Sequence, residues 1–433
     1  MAGRAKTAIR AIGAGVAMAA AAGAARAQET GAADPAHTAW VLSATALVLL
    51  MTLPGLALFY AGLVRSKNVL SVMMHCVAIA CLSSVLWLLG GYSLAFSGDN
   101  PWIGDLAKFG LPGGRDAVTG AIPENVFFAF QMTFAIITPA LIVGAYVERI
   151  KFAAVLLFSG LWLYAVYAPV AHWVWGGGWL ADLGVMDYAG GLVVHATAGV
   201  SSLVIVAMLG ARDGFPRELQ PPHNPGMTMM GAGMLWVGWY GFNAGSALAA
   251  NGAAGAALVA THLSAATAGL VWAIVERLRF GRSSMVGLVT GVVAGLATVT
   301  PASGFVGPMG GVILGACGSL ICFGAVEVVK HRLKIDDSLD VFAVHGVGGI
   351  LGTLLAGVLT APALGGAGYA GGMDMARQLG VQATGVAAVC AWSAVATLVI
   401  ALVCRLVVGL RVGDDALEEG LDMASHGERA YTI

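Results

Sequence analysis

The sequence predicts an all-α integral membrane protein with eleven transmembrane helices, and three observations carry that prediction. The chain of 433 residues is 58% hydrophobic and only 10% charged, against about 25% charged in a soluble domain. Its apolar residues gather in long uncharged runs, and a helix needs about 20 such residues to cross a bilayer. Lys and Arg are concentrated on alternate connecting loops, the pattern of a multi-pass protein with fixed orientation.

The first 27 residues read as a secretory signal rather than a span. Arg4, Lys6 and Arg10 form a basic start, Ala11–Ala24 is apolar but short, and Ala25-Arg26-Ala27 is a small-residue cleavage site before Gln28. The transmembrane domain then occupies 28–410 and a tail 411–433. Spans are expected near 38–64, 69–97, 125–147, 152–174, 188–210, 226–247, 253–275, 283–300, 305–326, 340–361 and 379–404. Two of the breaks between them carry no charge. The uncharged stretch 219–275 is too long for one helix, and Asn251-Gly252 is its natural turn.

Loop charge tests this division. With the mature N-terminus outside, the inner loops and tail hold fifteen Lys and Arg residues. The outer loops hold only Lys108, Arg115 and Arg377. A missed or invented helix would scramble that alternation. The expected location is the inner (plasma) membrane, with the tail in the cytoplasm. Helices 1–5 (about 38–211) and 6–10 (about 225–362) then run in opposite senses, because five is odd. That is the inverted repeat of many transporters, which places the site near the midplane between the halves. Helix 11 stands outside the repeat.

Composition excludes other classes. The net charge of −1 and the lack of Lys/Arg-rich blocks argue against nucleic acid. The six cysteines lie in apolar runs without C-x-x-C pairs or metal spacing to histidine, so they read as buried thiols. Neither a metal nor a cofactor is expected. No G-x-S-x-G, H-E-x-x-H or paired catalytic aspartate motif suggests an enzyme.

Two histidines stand out inside the apolar runs. Asp187 precedes His195 on helix 5, Asp340 precedes His345 on helix 10, and both continue as Val-His-x-x-x-Gly. An intramembrane ionisable residue is a functional-site hypothesis by default. The plain alternative for either one is a helix–helix hydrogen bond. His75 and His262 fit packing, and His172 falls near the outer interface.

Longer motifs sharpen the reading. Phe130-Gln131-Met132-Thr133-Phe134 lies on helix 3, His172-Trp173-Val174-Trp175-Gly176-Gly177 at the outer end of helix 4, and Gly238-Trp239-Tyr240-Gly241-Phe242-Asn243-Ala244-Gly245-Ser246 on helix 6. Together with the two histidine segments and the tail Gly420-Leu421-Asp422-Met423-Ala424-Ser425-His426-Gly427-Glu428-Arg429, they resemble the ammonium transporter (Amt/Rh) family, in its bacterial Amt branch. The resemblance covers nearly the whole mature chain.

It implies an outer ammonium site at Trp175, Phe134 and Ser246, with Phe130 beside it. Aromatic faces attract a cation by about 0.5–2 kcal/mol, and a hydroxyl oxygen accepts an N–H. Without the resemblance these would be an interfacial tryptophan and lipid-facing rings. It also implies a gate of stacked Phe134 and Phe242, and a pore relay of His195 and His345. Asp187 would act structurally near the outer site, as an N-cap of helix 5. Asp340 similarly begins helix 10, and Thr300 would line the vestibule. A homotrimer and a PII-type signalling partner at the cytoplasmic face follow from the resemblance alone. Two rival readings are an Rh-type neutral-gas channel, against which Trp175 and the tail argue, and an ammonium sensor acting through its tail.

Overall fold

The computed structural model describes residues 32–218 and 221–432. The expected signal at 1–27 lies outside the described residues. Among the described residues, ten helices are long and apolar enough to cross a membrane: α1 (Pro35–Leu63), α2 (Ser66–Phe96), α3 (Glu124–Tyr146), α4 (Phe152–Leu183), α5 (Gly191–Leu209), α7 (Gly252–Phe280), α8 (Met285–Ala302), α9 (Pro308–Arg332), α10 (Phe342–Leu359) and α11 (Met375–Val407). Helix α6 (Pro225–Gly245) has 21 residues but is not among those ten. Glycines, aromatic residues and Asn243 dilute its apolar character. The described residues therefore hold ten membrane-length apolar helices where the sequence predicted eleven. A two-residue hairpin, β1 (Val118–Thr119) with β2 (Ile122–Pro123), precedes α3. Two short tail helices, α12 (Asp414–Glu419) and α13 (Leu421–His426), close the chain.

Local chemistry starts several of these helices. Pro225 opens α6, where a missing N–H costs nothing, and the Asn224 side chain accepts from the Met227 N–H at 2.9 Å. Asn251 caps α7 by accepting from Ala253 and Ala254, at the turn predicted there. Ser284 caps α8 through the Gly287 N–H, and Asp374 caps α11 through the Arg377 N–H. Each such cap is worth about 1 kcal/mol.

Packing between helices rests on small residues that let backbones approach. A Cβ on Gly199 of α5 would collide with the Gly346 Cα of α10. A Cβ on Gly349 of α10 would lie 2.6 Å from the Gly191 carbonyl oxygen and 2.7 Å from the His195 Cβ. The glycine four residues after each histidine is thus what lets α5 and α10 cross in contact. That crossing brings the two imidazoles together at the centre of the bundle.

Candidate functional site

His195 and His345 both sit in π-helical turns, Gly191–Ala196 and Phe342–Gly346. Such wide turns recur at functional sites. The two Nδ1 atoms are 3.2 Å apart and the rings lie 5.1 Å apart, 22° from parallel. One imidazole must donate and the other accept, so the pair holds complementary tautomers. Both rings are buried.

An aspartate organises each histidine turn. Asp187 accepts from the N–H groups of Gly190, Gly191, Leu192 and Val193 at 2.5–3.1 Å. It thereby satisfies the free donors that open α5. The matching carboxylate before α10 is Asp337, which accepts from Val341 and Phe342 at 3.0 and 2.7 Å. Asp340 plays a different part from the one expected. Its carboxylate pairs with Lys330 at 2.7 Å, and its backbone has φ +61°. Asp187 and Asp337 each stand eight residues before their histidine, a shared spacing that identifies Asp337 in the sequence.

Towards the Trp175 end, four aromatic side chains meet. Phe134 packs edge-on to Phe130 at 5.0 Å and to Trp175 at 5.8 Å. The Trp175 indole N–H donates to the Asp187 carbonyl oxygen at 2.9 Å, which fixes the ring beside the start of α5. Phe134 also stacks on Phe242 at 4.2 Å and 24°. Ser246 donates to the Phe242 carbonyl oxygen at 2.8 Å, leaving its own oxygen lone pairs for another donor. Trp175 and Ser246 are partly exposed, whereas Phe130, Phe134 and Phe242 are buried.

Beyond the Phe134–Phe242 pair runs a narrow cavity. Ile137, Leu141, Val194, Leu235, Trp239, Phe242 and Val293 are among its walls, and His195 and His345 are its ionisable lining residues. Thr300 does not line a vestibule. It is fully buried and accepts from the Trp239 indole N–H at 2.8 Å. Trp239 in turn stacks on His195 at 5.5 Å and 24°. Trp239 was legible only as part of a motif; its place three residues before Phe242 puts both on one helix face.

On the tail side a second cavity, of about 500 Å³, also reaches His345. Its rim carries an ion network. Glu148 accepts from Arg65, Asn68 and Arg212, and Asp336 binds Arg212 through both oxygens. Burial opposes ionisation of Glu148, but Arg212 and Arg65 hold its carboxyl down at about 2. Arg212, with Arg149, likewise keeps Asp336 below the usual carboxylate range despite burial. The tail docks beside this rim. Lys67 donates to the carbonyl oxygens of Leu417 and Glu418, the Leu421 N–H donates to Asn68, and the Ser71 N–H donates to Asp422.

The remaining histidines lie apart from the passage. His75 is buried and stacks on Phe152 at 5.9 Å. His172 faces the carbonyl oxygens of Ala95 and Asn100, and His262 meets the Tyr240 hydroxyl. Among the described residues, no group of three or more His, Cys, Asp or Glu gathers at metal-binding spacing.

Membrane-length helices packed around a small apolar cavity make this an integral membrane protein. Comparison with known proteins defines which kind. The sequence profile of the Ammonium Transporter Family matches residues 39–431. An ammonium transporter of Mycobacterium tuberculosis (strain ATCC 25618 / H37Rv) is 44% identical, over 93% of this chain and 91% of that protein. The crystal structure of Candida albicans Mep2 matches with a TM-score of 0.82 at 34% identity, covering 93% of this chain and 94% of that one. A structure described as a sensor Amt protein matches with a TM-score of 0.84 at 30% identity, covering 90% and 98%. The chain belongs to the ammonium transporter family, and its place is in a membrane.

Proposed function

We propose that this chain binds ammonium at Trp175, Phe134 and Ser246, that the ion gives up one proton, either to outer water or onto the His195–His345 relay, and that ammonia passes Phe134 and Phe242 to the histidine pair. The observation that carries this reading is the stacked ring pair at 4.2 Å above a passage whose ionisable lining groups are His195 and His345. Closed rings exclude water and hydrated cations, and the histidines offer a hydrogen bond where the walls are otherwise apolar.

Magnitudes favour the neutral species in the passage. With a pKa near that of a lysine side chain, ammonium loses a proton at pH 7 for ~4.6 kcal/mol. Burying an unpaired cation costs several kcal/mol even after relaxation, and far more by the Born estimate. Potassium has no proton to lose, so the same step supplies selectivity. The hydrogen-bonded histidines are the groups able to relay the proton.

The Trp175 end faces outward and the tail inward, in line with the loop charges, and α6 spans the membrane as the eleventh helix. Helices α1–α5 and α6–α10 form the inverted halves, residues 1–27 are removed, and three copies assemble. A PII-type protein docks on the tail-side rim. The decisive experiment compares ammonium- and potassium-evoked currents of the purified protein in planar lipid. Ammonium current without potassium current is expected; no ammonium current or flux would sink the transport reading. PII binding is tested with a chain truncated at Arg411, which is expected to lose it.

A further inference from the structure

Thr300 is buried at the end of α8, yet its hydroxyl is fully used. It donates to the Leu296 carbonyl oxygen at 2.7 Å and accepts from the Trp239 indole at 2.8 Å. The indole so fixed lies face to face with His195, whose other ring neighbours are His345 and, tilted at 6.1 Å, Phe242. His195 is therefore held between an immobilised indole and its partner imidazole. The turn that carries Thr300 also braces the start of α5. The Pro301 carbonyl oxygen accepts from the Tyr188 N–H at 3.0 Å, and the Pro301 ring packs where a Cβ on Gly191 would sit. One short segment thus supports the His195 turn from its backbone and its ring plane at once.

We infer that Thr300 is a positioning residue for proton relay: through Trp239 it fixes the His195 ring in the plane that keeps its hydrogen bond to His345. Two neutral imidazoles joined by one N–H have a narrow angular tolerance, because hydrogen bonds weaken steeply as they bend. An indole free to rotate would no longer define that plane. The electron-rich indole face also favours a proton on His195 while it passes. This inference rests on the transport mechanism proposed above.

The test uses Thr300→Val, which keeps shape but removes the hydroxyl, beside Thr300→Ser, which keeps it. In planar lipid, Thr300→Val is expected to lower the maximal ammonium current about tenfold, the order of one lost hydrogen bond. Half-saturation should stay unchanged, since the outer aromatic site is untouched. Thr300→Ser should retain most of the current. Trp239→Phe keeps a ring without the N–H, so it should match Thr300→Val, and the double variant should be no worse than either alone. Nitrogen NMR of the histidines should show one Nδ1 donor and one acceptor in the wild type, and exchange between them in Thr300→Val. Wild-type current and spectra in Thr300→Val, or equal losses in the Val and Ser variants, would overturn the inference. Failure of the transport reading itself would appear as a silent wild type, while the spectra would still decide the role of Thr300.

Discussion

Four backbone N–H groups converge on the Asp187 carboxylate before α5, whereas two converge on Asp337 before α10. The histidines differ in the same sense. His195 is packed between Trp239 and His345, while His345 borders the tail-side cavity. The α10 turn is tied instead into an ion network, because Asp336 adjoins Asp337 and binds Arg212. Two histidine turns can thus share one hydrogen-bond frame and still sit in different surroundings. His195 packs against Trp239, and His345 borders the tail-side cavity.

The comparison breaks most sharply at the carboxylates. Asp187→Ala leaves four buried donors without a partner, and should cost more than Asp337→Ala by about 2–3 kcal/mol. Thermal unfolding of the two variants in the same detergent measures this, and equal losses would remove the asymmetry. Next come the crossing glycines. Gly199→Ala forces two backbones apart and is expected to cost about 1–3 kcal/mol, with loss of ammonium flux into liposomes. Gly346→Ala meets the side chain of Phe342 as well as Gly199, so part of its strain can relax and its loss should be smaller.

Part of this arrangement was legible in the sequence. Uncharged runs and loop charges located the helices, and the turn at Asn251 fell where α7 begins. The histidines were visible as polar residues in an apolar setting. Other features needed the third dimension. Asp340 is nearer His345 in sequence, but its positive φ and its pairing with Lys330 turn it away from the α10 donors. Thr300 looked like the outer end of a span, and only the packing of α6 against α8 buries it beneath Trp239. Helix α6 is a helix of membrane length whose glycines and aromatics, useful for contact, lower its apolar signal.

Two further effects separate the α5 and α10 sides. A water-soluble imidazole-modifying reagent added from the tail side should label His345 at least about tenfold faster than His195, because only His345 borders the wide cavity. Mass spectrometry of the digested protein reads the ratio, and equal labelling would mean that both rings are wet. A separate effect is on acid stability. Glu148 titrates at about 2 when folded and at 4.5 in its ordinary state. Its folded value is depressed, so its contribution is complete above pH ~4.5 and disappears as pH falls towards ~2, amounting to at most ~3 kcal/mol. Glu148→Gln should flatten that part of the stability–pH curve. An unchanged curve would detach the ion network from the α10 side of the comparison.

The docked tail carries a consequence for how the chain is made. Lys67, Asn68 and Ser71 stand at the junction of the first two helices, and they bind Leu417, Glu418, Leu421 and Asp422. A ribosome delivers the first group about 350 residues before the second. The earliest hairpin therefore waits, with its docking groups unmet, until synthesis is all but finished. A chain that stops before residue 414 leaves those groups without the partners that a finished chain supplies from its two short tail helices.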